Sequence, residues 1–426
     1  MSTERRIGQG TATLLVVATM VGTGVFTTTG FLLEDLSGPA VLLAWLLGGV
    51  SALCGALCYA ELAAALPRNG GDYHLLGRIY HPALGFTAGV ISLLVGFAAP
   101  IAASALAFGA YLAQIWPGVP QLAVGLVLVL ALSLLHSRDV GKAMRAQDLL
   151  TVPKIVLLAI GAVVGVLIGD PERIVEPGPG EGGAGAFAVG LVFVYYAYSG
   201  WNGAAYVAGE LRDPARDLPA ALIKGTLLVT ALYLVANAAF LAAAPPEALA
   251  GRVDVAAVAA THLLGDLGGK LVAGVVALGL VSAVGAMIMA GPRIYATMGE
   301  DYPRLAVLAR RSKGGGPAVA VALQTGLAIV MMLVADIDAI YTYAGLSLSV
   351  MSALTVAGVF VLRRTEPDLE RPYRTLGYPV TPALFVLFTV WMVYQSVAAE
   401  PVAAAVSVGS LLLGLGLWAL VRPKPG

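Results

Sequence analysis

Apolar runs of about 18 to 25 residues, the length a helix needs to cross a bilayer, recur from one end of this 426-residue chain to the other. No other feature narrows the fold as far, because lipid offers the backbone no hydrogen bonds and such runs must satisfy their own as helices. Composition agrees, with 59% hydrophobic and only 12% charged residues where a soluble domain carries about 25% charged. Twelve runs are expected as spans, at 10–34, 39–66, 83–114, 120–136, 147–169, 185–209, 219–243, 267–292, 317–336, 338–362, 379–397 and 402–421. The chain reads as an all-α membrane protein, multi-pass, with both termini on one side.

Charge placement orients it. With the N-terminus in the cytoplasm, Arg5, Arg6, Arg68, Arg78, Arg138, Lys142, Arg145, Arg212, Arg216, Lys224, Arg293, Arg304, Arg310, Arg311, Lys313, Arg363, Arg364, Arg371, Arg374, Arg422 and Lys424 all fall inside. Arg173, Arg252 and Lys270 fall outside, and Lys154 lies within the fifth span. That excess of inner basic residues fits the positive-inside rule and a place in the cell (inner) membrane with cytoplasmic termini. Lys+Arg and Asp+Glu balance at 25 each, so overall charge points to no nucleic-acid partner.

The first run contains Gly22-Thr23-Gly24, two glycines that each weaken a helix by about 1 kcal/mol relative to alanine. Two readings fit. The glycines admit a closely packed neighbour, or the helix opens there and its freed N–H and C=O groups hold the carboxylate and ammonium of an amino acid. A matching break favours the second: after a Gly- and Pro-rich outer stretch at 169–185, read as a linker between two bundles, the sixth run carries Tyr195-Tyr196-Ala197-Tyr198-Ser199-Gly200-Trp201-Asn202 at mid-depth. Interrupted helices at corresponding places in two halves point to an inverted-repeat transporter with its site at the midplane. The segment 254–264 is too short to span and is expected as a small helix over the outer face, where a lid is possible.

Other chemistries find little support. Cys54 and Cys58 lie four apart on one span, and His74, His81, His136 and His262 fall in loops or at span ends as solvated residues without metal-ligand spacing. No Ser/His/Asp set, phosphate loop or paired mid-span carboxylates are present, so no enzyme, cofactor or metal is expected.

Five motifs then resemble one family. They are Gly22-Thr23-Gly24-Val25-Phe26; Tyr59-Ala60-Glu61-Leu62 with Pro67-Arg68-Asn69-Gly70-Gly71-Asp72-Tyr73; Tyr198-Ser199-Gly200-Trp201-Asn202 with Gly209-Glu210-Leu211-Arg212-Asp213-Pro214 and Leu218-Pro219; Gly291-Pro292-Arg293-Ile294-Tyr295-Ala296-Thr297-Met298; and Arg371-Pro372-Tyr373-Arg374 with Gly377-Tyr378-Pro379. In this order they resemble the amino acid–polyamine–organocation (APC) transporter superfamily, within it the L-type amino acid transporters and their bacterial relatives. The resemblance implies twelve transmembrane helices in a LeuT-type 5+5 inverted repeat with helices 1 and 6 interrupted: a first repeat at 1–169, a second at 185–362, and two further helices at 379–421. It implies secondary transport of amino acids by proton symport or exchange. It also implies substrate-binding residues: Val21, Gly22, Thr23, Gly24 and Val25 toward the carboxylate, carbonyls around Tyr196, Ala197 and Ser199 toward the ammonium, Tyr196 as an aromatic gate, and Asn202 near the pocket. The chain departs from the family pattern at Thr23, usually serine, at His81-Pro82, and at Gly299-Glu300-Asp301.

Lys154 stands out, since an ammonium inside a membrane is costly unless paired and often functional. A lysine near a span end also snorkels. The resemblance implies proton coupling, with a carbonyl near Gly22 and the hydroxyl of Ser282 as partners. Glu61 and Glu210 read as inner-face ion pairs. Trp201 reads equally as substrate-lining or core, and Tyr341 and Tyr343 equally as gate or interfacial anchor. With no Asp or Glu in mid-span, a neutral amino acid is the expected substrate and a proton the coupling ion, with no obligate protein partner evident. Obligate exchange, or a sensor that binds without transporting, are the alternatives.

Overall fold

The computed structural model describes residues 7–138, 140–180, 182–310 and 317–422, with the side chains of 138–152 outside that set. Arg5, Arg6, Arg311, Lys313 and Lys424, and the side chains of Arg138, Lys142 and Arg145, therefore lie outside the described residues. The first half runs α1 (Gln9–Met20), α2 (Gly24–Asp35), α3 (Gly38–Ala65), a short α4 (Asp72–Ile79), α5 (Pro82–Ile91), a wider π-wound stretch at Ser92–Ala98, α6 (Ala99–Ile115), α7 (Gln121–Arg138) and α8 (Val140–Ile168). The second runs α9 (Ala184–Tyr198), a 3₁₀ stretch at Gly203–Glu210, α10 (Pro214–Ala243), one turn of α11 (Pro246–Leu249), α12 (Val255–Asp301), α13 (Ala318–Val334) and α14 (Ile337–Thr365), followed by α15 (Val380–Ala399) and α16 (Pro401–Val421). Among the described residues the one β-type pairing is an isolated bridge between Ile7 and Leu211.

Nine helical segments among the described residues are long and apolar enough to cross a membrane, and three shorter apolar helices, Gln121–Ser137, Pro153–Ile168 and Ala318–Val334, accompany them. Ends fall within a few residues of the expected runs except at three places. Helices α8 and α10 begin well before 147 and 219 and carry Pro153 and Pro219 inside. The run expected at 267–292 is part of one helix from Val255 to Asp301, which bends at Gly265 (φ 72°) and continues through Pro292. A proline inside a span forfeits one ladder hydrogen bond, but neighbouring helices can cover the freed carbonyl, so proline is a poor terminator here. The short outer helix foreseen at 254–264 is the stretch before the Gly265 bend.

The two interrupted helices cross in the middle. Around them α10 packs on α1, α3 and α8, α12 packs on α6 and α8, and α14 packs on α9. Burial sorts centre from rim: 67% of the apolar window of Gln9–Asp35 is buried, against 28% for α15 and 22% for α16, so the last two helices present most of their surface to lipid. The 169–185 stretch is held rather than slack. Its Asp170 N–H donates to the Ala242 carbonyl (2.9 Å), the Arg173 guanidinium donates to that of Ala243 (2.7 Å), and Gly178 and Gly180 lie against the end of α2. On the same side the Gly251 N–H donates to the Gly30 carbonyl (2.9 Å), bringing the segment ahead of α12 over α2.

Candidate functional site

The first span is broken where its glycines lie. Helix α1 ends at Met20 and α2 begins at Gly24, leaving Val21, Gly22 and Thr23 outside both. The first turn of α2 therefore presents N–H groups without intrahelical acceptors, and no side chain caps them. That end of a helix favours an anion. The last turn of α1 presents carbonyls, which favour a cation. The Val21 N–H closes on the Val17 carbonyl and the Gly22 N–H on that of Met20, both within 3 Å.

The two glycines have different jobs. A Cβ on Gly24 would lie 2.4 Å from the Cβ and 2.5 Å from the Cα of Ala197, so Gly24 is where α2 touches the backbone of α9. A Cβ on Gly22 would meet only the Met20 carbonyl, at 3.9 Å, and Gly22 is half-buried among fully buried neighbours. The open space beside the break is at Gly22.

The second break follows Tyr198. Ser199 turns extended (ψ 146°), Gly200 takes φ 100°, and from Gly203 the chain resumes as a 3₁₀ stretch with a further bend at Val207. Gly200 is required by geometry as well as by its positive φ, because a Cβ there would come within 2.6 Å of the Thr19 carbonyl. The Thr19 hydroxyl donates to the Gly200 carbonyl (2.9 Å) and so ties the two breaks together.

Side chains from the surrounding helices hold the loose ends. The Lys154 ammonium of α8, 6% exposed, donates to the Val21 carbonyl at 2.7 Å. The stem of Lys154 runs beside Gly279 of α12, 3.5 Å from where a Cβ would be. Ser282, buried, is one turn further along α12. The Tyr233 hydroxyl of α10 lies 2.6 Å from the Met20 carbonyl and 3.2 Å from the Ala197 carbonyl, reaching the open ends of both broken helices. Nothing in the sequence distinguishes Tyr233 from other tyrosines in apolar runs, and it was not foreseen.

Tyr196 is buried beside the junction, its ring stacked on Tyr341 of α14 with centroids 4.2 Å apart. Both rings interact with the Thr23 side chain, and the Tyr341 and Thr27 hydroxyls are 2.7 Å apart. Tyr341 is fully buried and no interfacial anchor. Tyr343, two residues on, points elsewhere, to the Ser410 hydroxyl of α16 (2.7 Å). Trp201 is enclosed by core, with Tyr59 edge-on at 4.8 Å, Phe385 at 6.2 Å, and Gly55 so close that a Cβ there would come within 2.6 Å of the indole. Asn202 precedes the 3₁₀ stretch and interacts with Tyr206.

Thus Val21, Gly22, Thr23, Gly24 and Val25 come together with Tyr196, Ala197 and Lys154, Ser199 lies in the second break, and Trp201 and Asn202 face away into packing. At the inner end Glu61 forms the expected ion pairs, with Arg363 (2.6 Å) and Arg371 (3.4 Å). Glu210 accepts from the Asn69 amide at 3.3 Å. The histidines differ from one another: His81 and His262 are exposed, while His136, read as solvated, is buried with Nδ1 2.8 Å from the Leu132 carbonyl. No group of three or more metal-ligating side chains occurs among the described residues.

A family model described as amino acid permease matches residues 7–419. The serine/threonine exchanger SteT of Bacillus subtilis (strain 168) is 27% identical, covering 97% of this chain and 96% of the relative. The large neutral amino acids transporter small subunit 2 of Rattus norvegicus is 30% identical over 99% of this chain and 82% of its own length. The b(0,+)-type amino acid transporter 1 of Homo sapiens is 28% identical over 94% and 84%. All three are named for moving amino acids rather than for catalysis.

Proposed function

The chain belongs to the amino acid permease family, and we propose that it carries neutral amino acids across the cell membrane in symport with protons. It is a multi-pass integral membrane protein, and this reading gives it twelve spans, both termini in the cytoplasm, and LeuT-type repeats at 1–169 and 185–362 with two further helices at 379–421. The substrate carboxylate takes the N–H groups at Thr23, Gly24 and Val25, with Gly22 leaving the space beside them. Its ammonium takes carbonyls at Tyr196, Ala197 and Ser199, and Tyr196 with Tyr341 forms the aromatic wall above it. Trp201 and Asn202 shape the pocket from behind.

The observation that carries the coupling is the Lys154 ammonium 2.7 Å from the Val21 carbonyl. Among the described residues no carboxylate pairs with that ammonium. Protonated, Lys154 ties the end of α1 to α8 and, with Ser282, to α12. Deprotonated, it loosens that tie and favours the other-facing state. No acidic side chain is among those that meet at the junction, which suits a substrate without a cationic side chain.

A second reading, obligate exchange, is favoured by the printed name of the Bacillus relative. Proteoliposomes holding this chain alone decide between them. Symport predicts accumulation driven by an inward proton gradient without internal amino acid, whereas exchange predicts uptake only when amino acid is trapped inside. Best competition by arginine, lysine or a polyamine would overturn the neutral-substrate reading, and loss of uptake without a second subunit would overturn action by a single chain.

A further inference from the structure

Two carboxylates are buried at the inner end of the molecule, and they are treated differently. Glu61 is neutralised by two guanidinium groups. Asp72, at the start of α4 and 5% exposed, is met by hydroxyls. Its Oδ1 accepts from the Tyr59 hydroxyl of α3 and from Thr355 of α14 (3.0 Å), and its Oδ2 lies 3.5 Å from the Tyr206 hydroxyl. Among the described residues no cation pairs with it.

The loop that carries Asp72 clasps the segment beyond the second break. The Gly70 N–H donates to the Tyr206 carbonyl (3.2 Å), the Gly209 N–H donates to Asn69 Oδ1 (2.8 Å), and the Asn69 amide donates to Glu210 (3.3 Å). The Tyr206 ring lies so close to Gly71 that a Cβ there would come within 2.5 Å of it. If transport requires the inner end of the broken sixth span to swing out, this clasp must open, and opening it exposes Asp72 to water.

Resting on the transport reading above, we propose that Asp72 is a second proton-binding site, latching residues 203–210 shut when protonated and releasing them when ionised. Protonated at Oδ2, the carboxyl donates toward the Tyr206 oxygen and leaves no uncompensated charge in the closed clasp. Burial, opposed by the hydrogen bonds from Tyr59, Thr355 and Tyr206, holds the carboxyl above the ordinary carboxylate range in the closed form. The closed form thus binds the proton more tightly. Its extra stability is complete below the ordinary carboxylate value and fades as pH rises through the raised one.

The groups facing Asp72 are uncharged: Tyr59 from α3, Tyr206 from the 3₁₀ stretch, Thr355 from α14 and, further off, Tyr195 from α9, while Ser92 beyond α5 reaches Tyr206. On α4 itself Tyr73 turns to Asp301 and Arg78 to Glu366. His74 is held down to about 4 by burial and by Arg68 and Arg78, so it does not titrate near neutrality.

The test places a single thiol under the latch, Ala205→Cys with Cys54→Ser and Cys58→Ser, in the full chain reconstituted in proteoliposomes. Its reaction rate with a membrane-impermeant maleimide is measured from pH 5.5 to 8 and normalised at each pH to the unfolded protein. The rate should climb with pH, by at most about tenfold per unit, the limit for one proton. Asp72→Asn should make it slow and flat, and Lys154→Ala should leave the slope intact. A slope that survives Asp72→Asn overturns the proposal. Should Asp72→Asn fail to fold, Thr355→Val removes a hydroxyl that donates to Oδ1, and it should move the midpoint upward because one donor to the ionised form is lost; an unmoved midpoint overturns the proposal as well. Substrate flux in the same vesicles separates the two claims: intact transport with pH-flat labelling removes the latch and leaves the transporter.

Discussion

The two breaks are held by different kinds of grip. At the first, a charged group does much of the work, with the Lys154 ammonium on the Val21 carbonyl. At the second, the grip is neutral and steric: a threonine hydroxyl on the Gly200 carbonyl, a glycine at φ 100°, and an indole wedged between Tyr59 and Phe385. An ammonium changes charge when it gives up its proton, while a hydroxyl and an indole stay uncharged near neutrality. At the breaks themselves, then, proton sensitivity belongs to the first and shape to the second, with the Asp72 carboxylate lying beyond the second break rather than in it. The glycines divide along the same line, since Gly24 serves the contact between the breaks and Gly22 the open space beside one of them.

That division can be broken most severely at Gly24. Gly24→Val drives side-chain carbon into the Ala197 backbone, and the expected loss exceeds about 4 kcal/mol, read as little or no monodisperse protein. A well-folded Gly24→Val would mean that the two broken helices do not depend on that contact. Next comes Lys154→Ala, which should leave a folded protein in which a pH gradient no longer drives accumulation. If that variant concentrates substrate with the wild-type dependence on pH, proton control does not reside at the first break.

Tyr233→Phe removes a hydroxyl that reaches the open ends of both broken helices and should cost about 1–3 kcal/mol in thermal or denaturant stability, because the Ala197 carbonyl loses its donor. A loss under half of the lower figure would show that the bridge contributes little. Smallest in stability is Gly22→Ala, expected within about 1 kcal/mol of the parent because its Cβ enters open space without a positive φ to oppose it. Its effect should instead be weaker substrate binding, measured by ligand-dependent thermal shift, and an unchanged shift would deny Gly22 a place beside the substrate.

How much of this could be read from the chain depends on whether a residue's role is local. Glycines in an apolar run announce a weak helix from composition alone, so the break at 21–23 was legible, and Lys154 announced itself as a charge in lipid. Its acceptor, expected as a carbonyl near Gly22, is that of Val21. The division of labour between Gly22 and Gly24 was not legible, because it rests on which of them faces α9. Tyr233 and Tyr341 are ordinary aromatic residues until tertiary packing places one at two helix ends and stacks the other on Tyr196. Trp201, open between pocket and core in the sequence, is enclosed by residues from α3 and α15, distant in the chain. The helix through Pro292 was missed because proline is a strong terminator only where water waits at the helix end.

A phenol has a single hydrogen, and at Tyr233 two carbonyls compete for it, at 2.6 and 3.2 Å. The Met20 carbonyl also accepts from the Gly22 N–H, so the Ala197 carbonyl, at the longer distance, is the less well served of the two. An α-ammonium brings three N–H donors, so in the proposed binding mode an amino acid would supply the Ala197 carbonyl with a better donor where the sixth helix opens. Affinity at such a junction comes as much from an unmet demand inside the protein as from any contact the ligand makes, and a second hydroxyl placed nearby would weaken binding by satisfying that demand beforehand.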